Sequence, residues 1–435
     1  MSKQRRLPTP ISQIAYGLAD MNTMSSYFGW IDFTDEDQKR AQDYLQSLSE
    51  GTLDELGFGI IRDAFADLFF PATSTIMTRA RYFILVPSIY LAALEQGDSG
   101  VSIKRKCDRM ELALRKQLIA NNAIENYRKE EVKRYPASIY WAGLRRLGII
   151  NPQIGSQASY FDATKDATRS TSAVKDDDHN ALEPESGTDL WDDEIVSLYD
   201  NALIPRPDEA GLFSSDIDFK MTTVESRYLC KRYLDAEKKS VVANIFRNES
   251  FETADYAWQW DYPESLKKEV YHAEHFSMLA KIATLLYYRL LDIKRTANGF
   301  AGCEVDLDRS VHDWWKLCRG QILEWDIEQF LSWIVEQKLA RGSDRSFIAD
   351  LHRKIRELTS CEALVAATAD LIVVREKDKR PNKRRLIDGR FQNEWKLPTQ
   401  RPGFFSDPKH LPYLLDFRSG IASQIIADIF DGLRR

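Results

Sequence analysis

Three residues of "SDIDFK", Asp216, Asp218 and Lys220, fall at alternate positions. On a strand they would project to one side. An acid followed by acid-x-Lys is a constellation able to hold Mg²⁺ and activate water in a nuclease. The same three residues suit a solvated surface loop, and the strong flanking strands that usually carry such a site are missing. A second candidate is "HAEH", where His272 and His275 share a helix face at i, i+3, a spacing open to metal ligands. That face also carries Leu279, Ile282 and Leu286, and neither cysteine nor carboxylate completes a ligand set. Packed, hydrogen-bonded histidines are the expectation, with no metal and no cofactor.

The wider search removes whole classes. The chain has no GxxxxGK[ST] phosphate loop, HExxH helix or GxSxG elbow. With 435 residues, 43% of them hydrophobic, it can bury one large core or several smaller ones. The net charge of −6 confines any nucleic-acid surface to a local patch. Five cysteines form no CxxC pair and suit a reducing compartment. The basic N-terminus is followed by no apolar h-region, and "YFILVPSIYLAAL" from Tyr82 is too short to span a bilayer. A cytoplasmic protein without membrane contact is expected.

Basic residues do cluster. "REKDKRPNKRRLIDGR" (375–390) carries eight cations against three acids and includes Lys383, Arg384, Arg385 and Arg390. Lys104, Arg105, Lys106, Arg109, Arg115 and Lys116 stand against Asp108 and Glu111. Arg145 and Arg146 form a third group. Phosphate contacts need such local density, because each neutralised phosphate releases counterions whatever the net charge. The competing reading is a solvated face, or loops paired with acidic segments. If 375–390 is a loop, reversing Arg384 and Arg385 to Glu should barely alter folding.

The elements that must position these residues read as helices. In "RYPASIYWAGLRRLGII" (134–150), Pro136 suits a first helical position and Gly148 a stop. Ile139, Tyr140, Gly143, Leu144 and Leu147 form one apolar arc with Trp141 at its edge, leaving Arg145 and Arg146 on the other face. Thr34, Thr52 and Thr222 each precede a carboxylate by three residues, a helix-start signal. Apolar stripes predict helices over 264–295, over 322–340 and near 421–433. Between residues 155 and 190 the pattern vanishes, and nine acidic residues from Asp176 to Glu194 meet no Lys or Arg. The expected fold is therefore mainly α and multi-helix. Two helical regions, 1–154 and 191–435, are separated by a flexible acidic linker, 155–190.

Four segments, "GWIDFTDEDQKRA", "DELGFGIIRDAFADLFFPATSTIMTRARYFILVPSIY", "PASIYWAGLRRLGI" and "REKDKRPNKRRL" with the tail "LLDFRSGIASQIIADIFDGL", together carry a resemblance. They resemble a bacterial family known only as a domain of unknown function and associated with antiphage defence islands, including Azaca-type operons. The resemblance implies helicase and phospholipase D-like nuclease partners and supplies no catalytic residues. Within the second segment, Pro71 should end one helix and Thr73 or Ser74 cap the next, placing Arg79 and Arg81 near a helix start where they want an anionic partner. Arg62, Asp63 and Asp67 lie just upstream. An internal Arg–Asp network or a phosphate or partner contact would satisfy them. The leading expectation is a non-catalytic scaffold or adaptor that touches nucleic acid through Arg145, Arg146, Lys383, Arg384, Arg385 and Arg390. The alternatives are a Mg²⁺-dependent nuclease centred on Asp216, Asp218 and Lys220, and a DNA-binding regulator.

Overall fold

Two helices with almost no solvent-facing side sit at the centre of the fold, and the rest pack around them. The computed structural model describes residues 54–96, 100–121, 123, 135–170, 187–303, 306–382, 384–387 and 414–435. Among these there are fourteen α-helices and no strand. The first six are α1 (Gly59–Phe69), α2 (Tyr82–Gln96), α3 (Gly100–Ala120), α4 (Pro136–Arg146), α5 (Gln157–Ser170) and α6 (Asp193–Asp200). Then come α7 (Thr223–Ala236), α8 (Val241–Asn248), α9 (Lys267–Ala297) and α10 (Leu307–Glu324). The last four are α11 (Ile327–Glu336), α12 (Gly342–Glu357), α13 (Leu364–Lys379) and α14 (Ser419–Leu433). The chain is mainly α, as its periodicity predicts.

The run from Tyr82 is the first central helix. Residues Phe83 to Ala93 of α2 are all buried, Pro87 included, and α3, α4 and α6 pack around them. A helix apolar on every side belongs in a core. No helix among the described residues is long and apolar enough to cross a membrane. The second central helix is α9, which packs against α10 and α13 and buries most positions from Val270 to Leu291. Aromatic rings tie α1 to this second group: Phe65 stacks on Trp333 of α11 at 4.7 Å, meets Phe417 at 5.4 Å and lies 6.2 Å from Phe276 of α9.

Local signals set several ends. Thr222 and Glu225 form the capping box expected at the start of α7; Thr34 and Thr52 lie outside the described residues. The helix expected over 322–340 is instead two. Trp325 turns to an extended conformation, and the Asp326 side chain accepts from the Gln329 amide to start α11. A continuous apolar stripe concealed this N-cap. Arg79 and Arg81 precede α2 rather than lie in it, because residues 71–81 are turns and irregular chain.

The stretch expected as a loop from 155 is helical over Gln157–Ser170. Its few large groups coincide on one face: Tyr160, Phe161 and Thr164 are buried, and Ser156 Oγ accepts from the Ser159 amide. Residues 171–186 lie outside the described residues. An isolated antiparallel bridge pairs Ile150 with Trp191, setting the chain before α5 beside the chain before α6. The helices on either side of residues 171–186 share one hydrophobic core within the compact unit 54–435.

Candidate functional site

The "SDIDFK" residues occupy turns. Ile217 and Phe219 are buried while Asp216 and Lys220 are exposed, so the alternation is present without a ladder to build on. Asp218 is half-buried and already partnered. Its Oδ1 accepts from the Lys220 amide (2.8 Å) and pairs with Arg81 Nη1 (3.3 Å), while Lys220 Nζ stands 3.7 Å from Oδ2. Among the described residues, no group of three or more His, Cys, Asp or Glu could hold a metal ion.

The histidines surround Trp325. His272 Nδ1 accepts from the indole Nε1 (3.1 Å), and its Nε2 then donates to Gln329 Oε1 (3.1 Å), which fixes the tautomer. The His275 ring is nearly parallel to Trp325, and His275 Nδ1 donates to the Tyr271 carbonyl (2.7 Å). His352 meets the same indole edge-on and donates to the Ile322 carbonyl. Burial pushes all three below the ordinary histidine value, His272 to about 4. These are neutral packing histidines.

An internal ion network does form, with partners far from those that adjacency suggested. Arg79 forks onto Asp428 of α14, and Arg81 donates to Glu225 of α7 through Nε and Nη2, both at 3.1 Å. Asp63 and Asp67 pair instead with Arg418 across α1, and Arg62 with its neighbour Asp63. The positive φ of Phe417 and Arg418 turns that guanidinium back toward α1, where it also donates to the Thr73 carbonyl. Sequence distance hid both partners: Asp428 reads as an ordinary acid on a helix, and Glu225 as a capping carboxylate only.

Most of the arginines expected to bind nucleic acid have structural partners. Tyr140, Leu144, Leu147 and Trp141 are buried, as the arc of α4 requires. Arg145 donates to the carbonyls of Pro152 and Gly155 and ties down the following loop, and Arg146 pairs with Glu237. Arg385 is buried, not in a solvated loop. It lies 3.6 Å from Glu55, with Arg380 at 3.5 Å, and its amide donates to Glu376 Oε1. Glu376 is itself fully buried and receives the Leu386 amide and the Tyr287 hydroxyl. Arg384 is half-buried, while Lys383 and Arg390 lie outside the described residues. The structure therefore does not join Arg145, Arg146 and Arg385 in one surface patch. Nothing in the sequence marked Glu55 and Glu376 as interior acids: Glu55 follows Asp54 in a helix-start signal, and Glu376 stands among charged neighbours.

What remains outward is α3. Arg105, Arg109 and Lys116 are exposed, with Lys104, Lys106 and Arg115 half-buried beside them. None of the six makes a salt bridge among the described residues. At 100° per residue, the three exposed cations fall within an arc of about 40°, so they form a ridge. Ile103, Cys107, Met110, Leu114 and Leu118 anchor the opposite face. Glu111 is buried there too, accepting from the Ala137 amide (2.9 Å) at the start of α4, and burial pushes it up to about 8. The sequence showed this charge cluster; the outward line of 105, 109 and 116 needed the apolar stripe to be read against it.

No curated protein and no solved structure matches the chain. A family model does match, over residues 24–432, nearly the whole length. The chain belongs to that family, DUF6361, a family of unknown function.

Proposed function

We propose that this protein is a non-catalytic helical scaffold in a bacterial antiphage defence assembly, holding a helicase and a phospholipase D-like nuclease partner while touching nucleic acid itself. The observation that carries the nucleic-acid part is the division among its cations. Arg79, Arg81, Arg145, Arg146, Arg385 and Arg418 hold the fold together, whereas the ridge on α3 faces outward without ion pairs among the described residues. A side chain held outward without a partner keeps its charge available to a polyanion. The defence setting rests on the resemblance of the four sequence segments. The scaffold role is supported by the interlocked helices: Arg79–Asp428 pins α14 to the turn before α2, and Arg418–Asp67 pins the start of α14 to α1.

The test is affinity capture of the tagged full-length chain expressed with its neighbouring genes, before and after nuclease treatment. Co-elution of helicase and nuclease subunits in both conditions is expected. Their absence from both would overturn the scaffold reading.

A further inference from the structure

We infer that the ridge on α3 binds the phosphate backbone of duplex nucleic acid without reading its sequence. This deepens the nucleic-acid part of the proposed function and rests on it. The charge pattern is linear: Arg105, Arg109 and Lys116 run along a single 21-residue helix. At a rise of about 1.5 Å per residue the line is about 16 Å long. A duplex carries one charge per ~1.7 Å of axis on a stiff rod, so a stiff row of cations can lie against several phosphates without bending either partner.

What the ridge lacks is as specific as what it has. Single-strand binding draws on aromatic side chains that stack with bases, and α3 contains no Phe, Tyr or Trp. Base-edge reading draws on side-chain amides as well as arginine forks. The two amides at this end of the helix are already engaged. Gln117 donates to the Phe213 carbonyl and accepts its amide, and Asn121 donates to the carbonyls of Ser215 and Ile217. Those bonds also brace the C-terminal end of the ridge against 213–217. Of the two carboxylates on α3, Asp108 is half-buried, and Glu111 is buried and held largely protonated at neutral pH, so Glu111 cancels little of the charge above it. Contacts of this kind position a protein on a duplex and specify no base.

The experiment is fluorescence anisotropy of the full-length protein with a labelled 20-base-pair DNA duplex, across a salt series. Two scrambled sequences and the matching single strand accompany it. The wild type should bind all three duplex sequences within about twofold of each other, and more tightly than the single strand. The triple variant R105E/R109E/K116E should weaken duplex binding at least tenfold at ~0.1 M salt. Each lost phosphate contact should flatten the log–log salt slope by about 0.9. R105Q/R109Q/K116Q gives the same reading without charge reversal should the first variant fail to fold. R353E, on the exposed face of α12, is the control and should change affinity less than twofold. Tighter binding to the single strand, a strong sequence preference, or unchanged affinity in the folded triple variant would each overturn the inference. So would no binding by the wild type, whereas co-elution of the protein partners decides the scaffold reading separately.

Discussion

Asp428, in the last helix, receives Arg79 from 349 positions earlier as a two-pronged fork, Nε to Oδ2 at 2.9 Å and Nη2 to Oδ1 at 2.8 Å. The same carboxylate accepts the Ala80 amide (2.9 Å) and the Gln424 amide group (3.0 Å). One buried acid thus satisfies the turn that launches α2 and fixes α14 against it. Asp428→Ala should cost about 3 kcal/mol in urea unfolding, since it strands a partly buried guanidinium and a buried amide. Asp428→Asn should cost less, because it keeps an acceptor. An Ala variant as stable as the parent would show that α14 is held by its apolar face alone.

Arg81 tests the acid-x-Lys fragment. Glu225 is fully buried, holds Arg81 through two nitrogens and also accepts the Thr222 amide at 2.7 Å. Asp218 is partly exposed, and Arg81 keeps the Asp218 backbone carbonyl (3.0 Å) when that side chain is removed. Glu225→Ala should therefore cost several times as much as Asp218→Ala, about 3 against about 1 kcal/mol. Adding Mg²⁺ or a chelator should leave the melting midpoint of wild type and Asp218→Ala unchanged. A Mg²⁺-dependent midpoint that vanishes in Asp218→Ala would reinstate a cation at "SDIDFK".

The histidines around Trp325 should make the fold acid-sensitive. Burial lowers His272 to about 4, so between its ordinary value of 6.5 and about 4 the unfolded chain takes up a proton that the folded chain refuses. Stability is accordingly full above about pH 6.5 and declines as the pH falls toward 4, by on the order of 2–3 kcal/mol for this group. Protonated Nδ1 can no longer accept from the indole, so Trp325 fluorescence should change along the same curve. His272→Gln should lower stability at pH 8 and flatten the decline. An undiminished slope in that variant would assign the acid sensitivity to other groups.

How much of this was legible depended on the range of each interaction. The arc of α4 followed from spacing alone, and so did the packed, hydrogen-bonded state of His272 and His275, because Leu279, Ile282 and Leu286 share their face. Gly143 also fell on the right face, though its reason is tertiary: an added Cβ would stand 2.7 Å from the Ala72 carbonyl. Long-range pairing was not legible. Asp63 and Asp67 were the near carboxylates for Arg79 and Arg81, but both go to Arg418, which a left-handed backbone aims at α1. The helix at 157–170 was hidden because two aromatics and one threonine suffice to bury it against α3.

The densest basic segment illustrates the same limit and gives the sharpest test. Read as a loop, 375–390 should tolerate charge reversal, yet Arg385 is 8% exposed and lies beside a Glu55 that is 3% exposed. Burial pushes Glu55 up to about 7, against the pull of Arg385 and Arg380. In Arg385→Glu that pull is halved and a second carboxylate arrives, so the variant should lose about 3–5 kcal/mol at pH 8. Glu55 rises further in that variant. Its contribution is intact below the unfolded value of 4.5 and is lost as the pH climbs through the folded value, so the deficit should narrow toward pH 5. Adding Glu55→Gln should recover most of the loss at pH 8 and remove much of the pH dependence. Arg384→Glu, on a half-buried neighbour, should cost less. Equal deficits at pH 5 and pH 8, or no recovery in the double variant, would mean that Arg385 is held by its backbone bonds to Glu376 and owes little to Glu55.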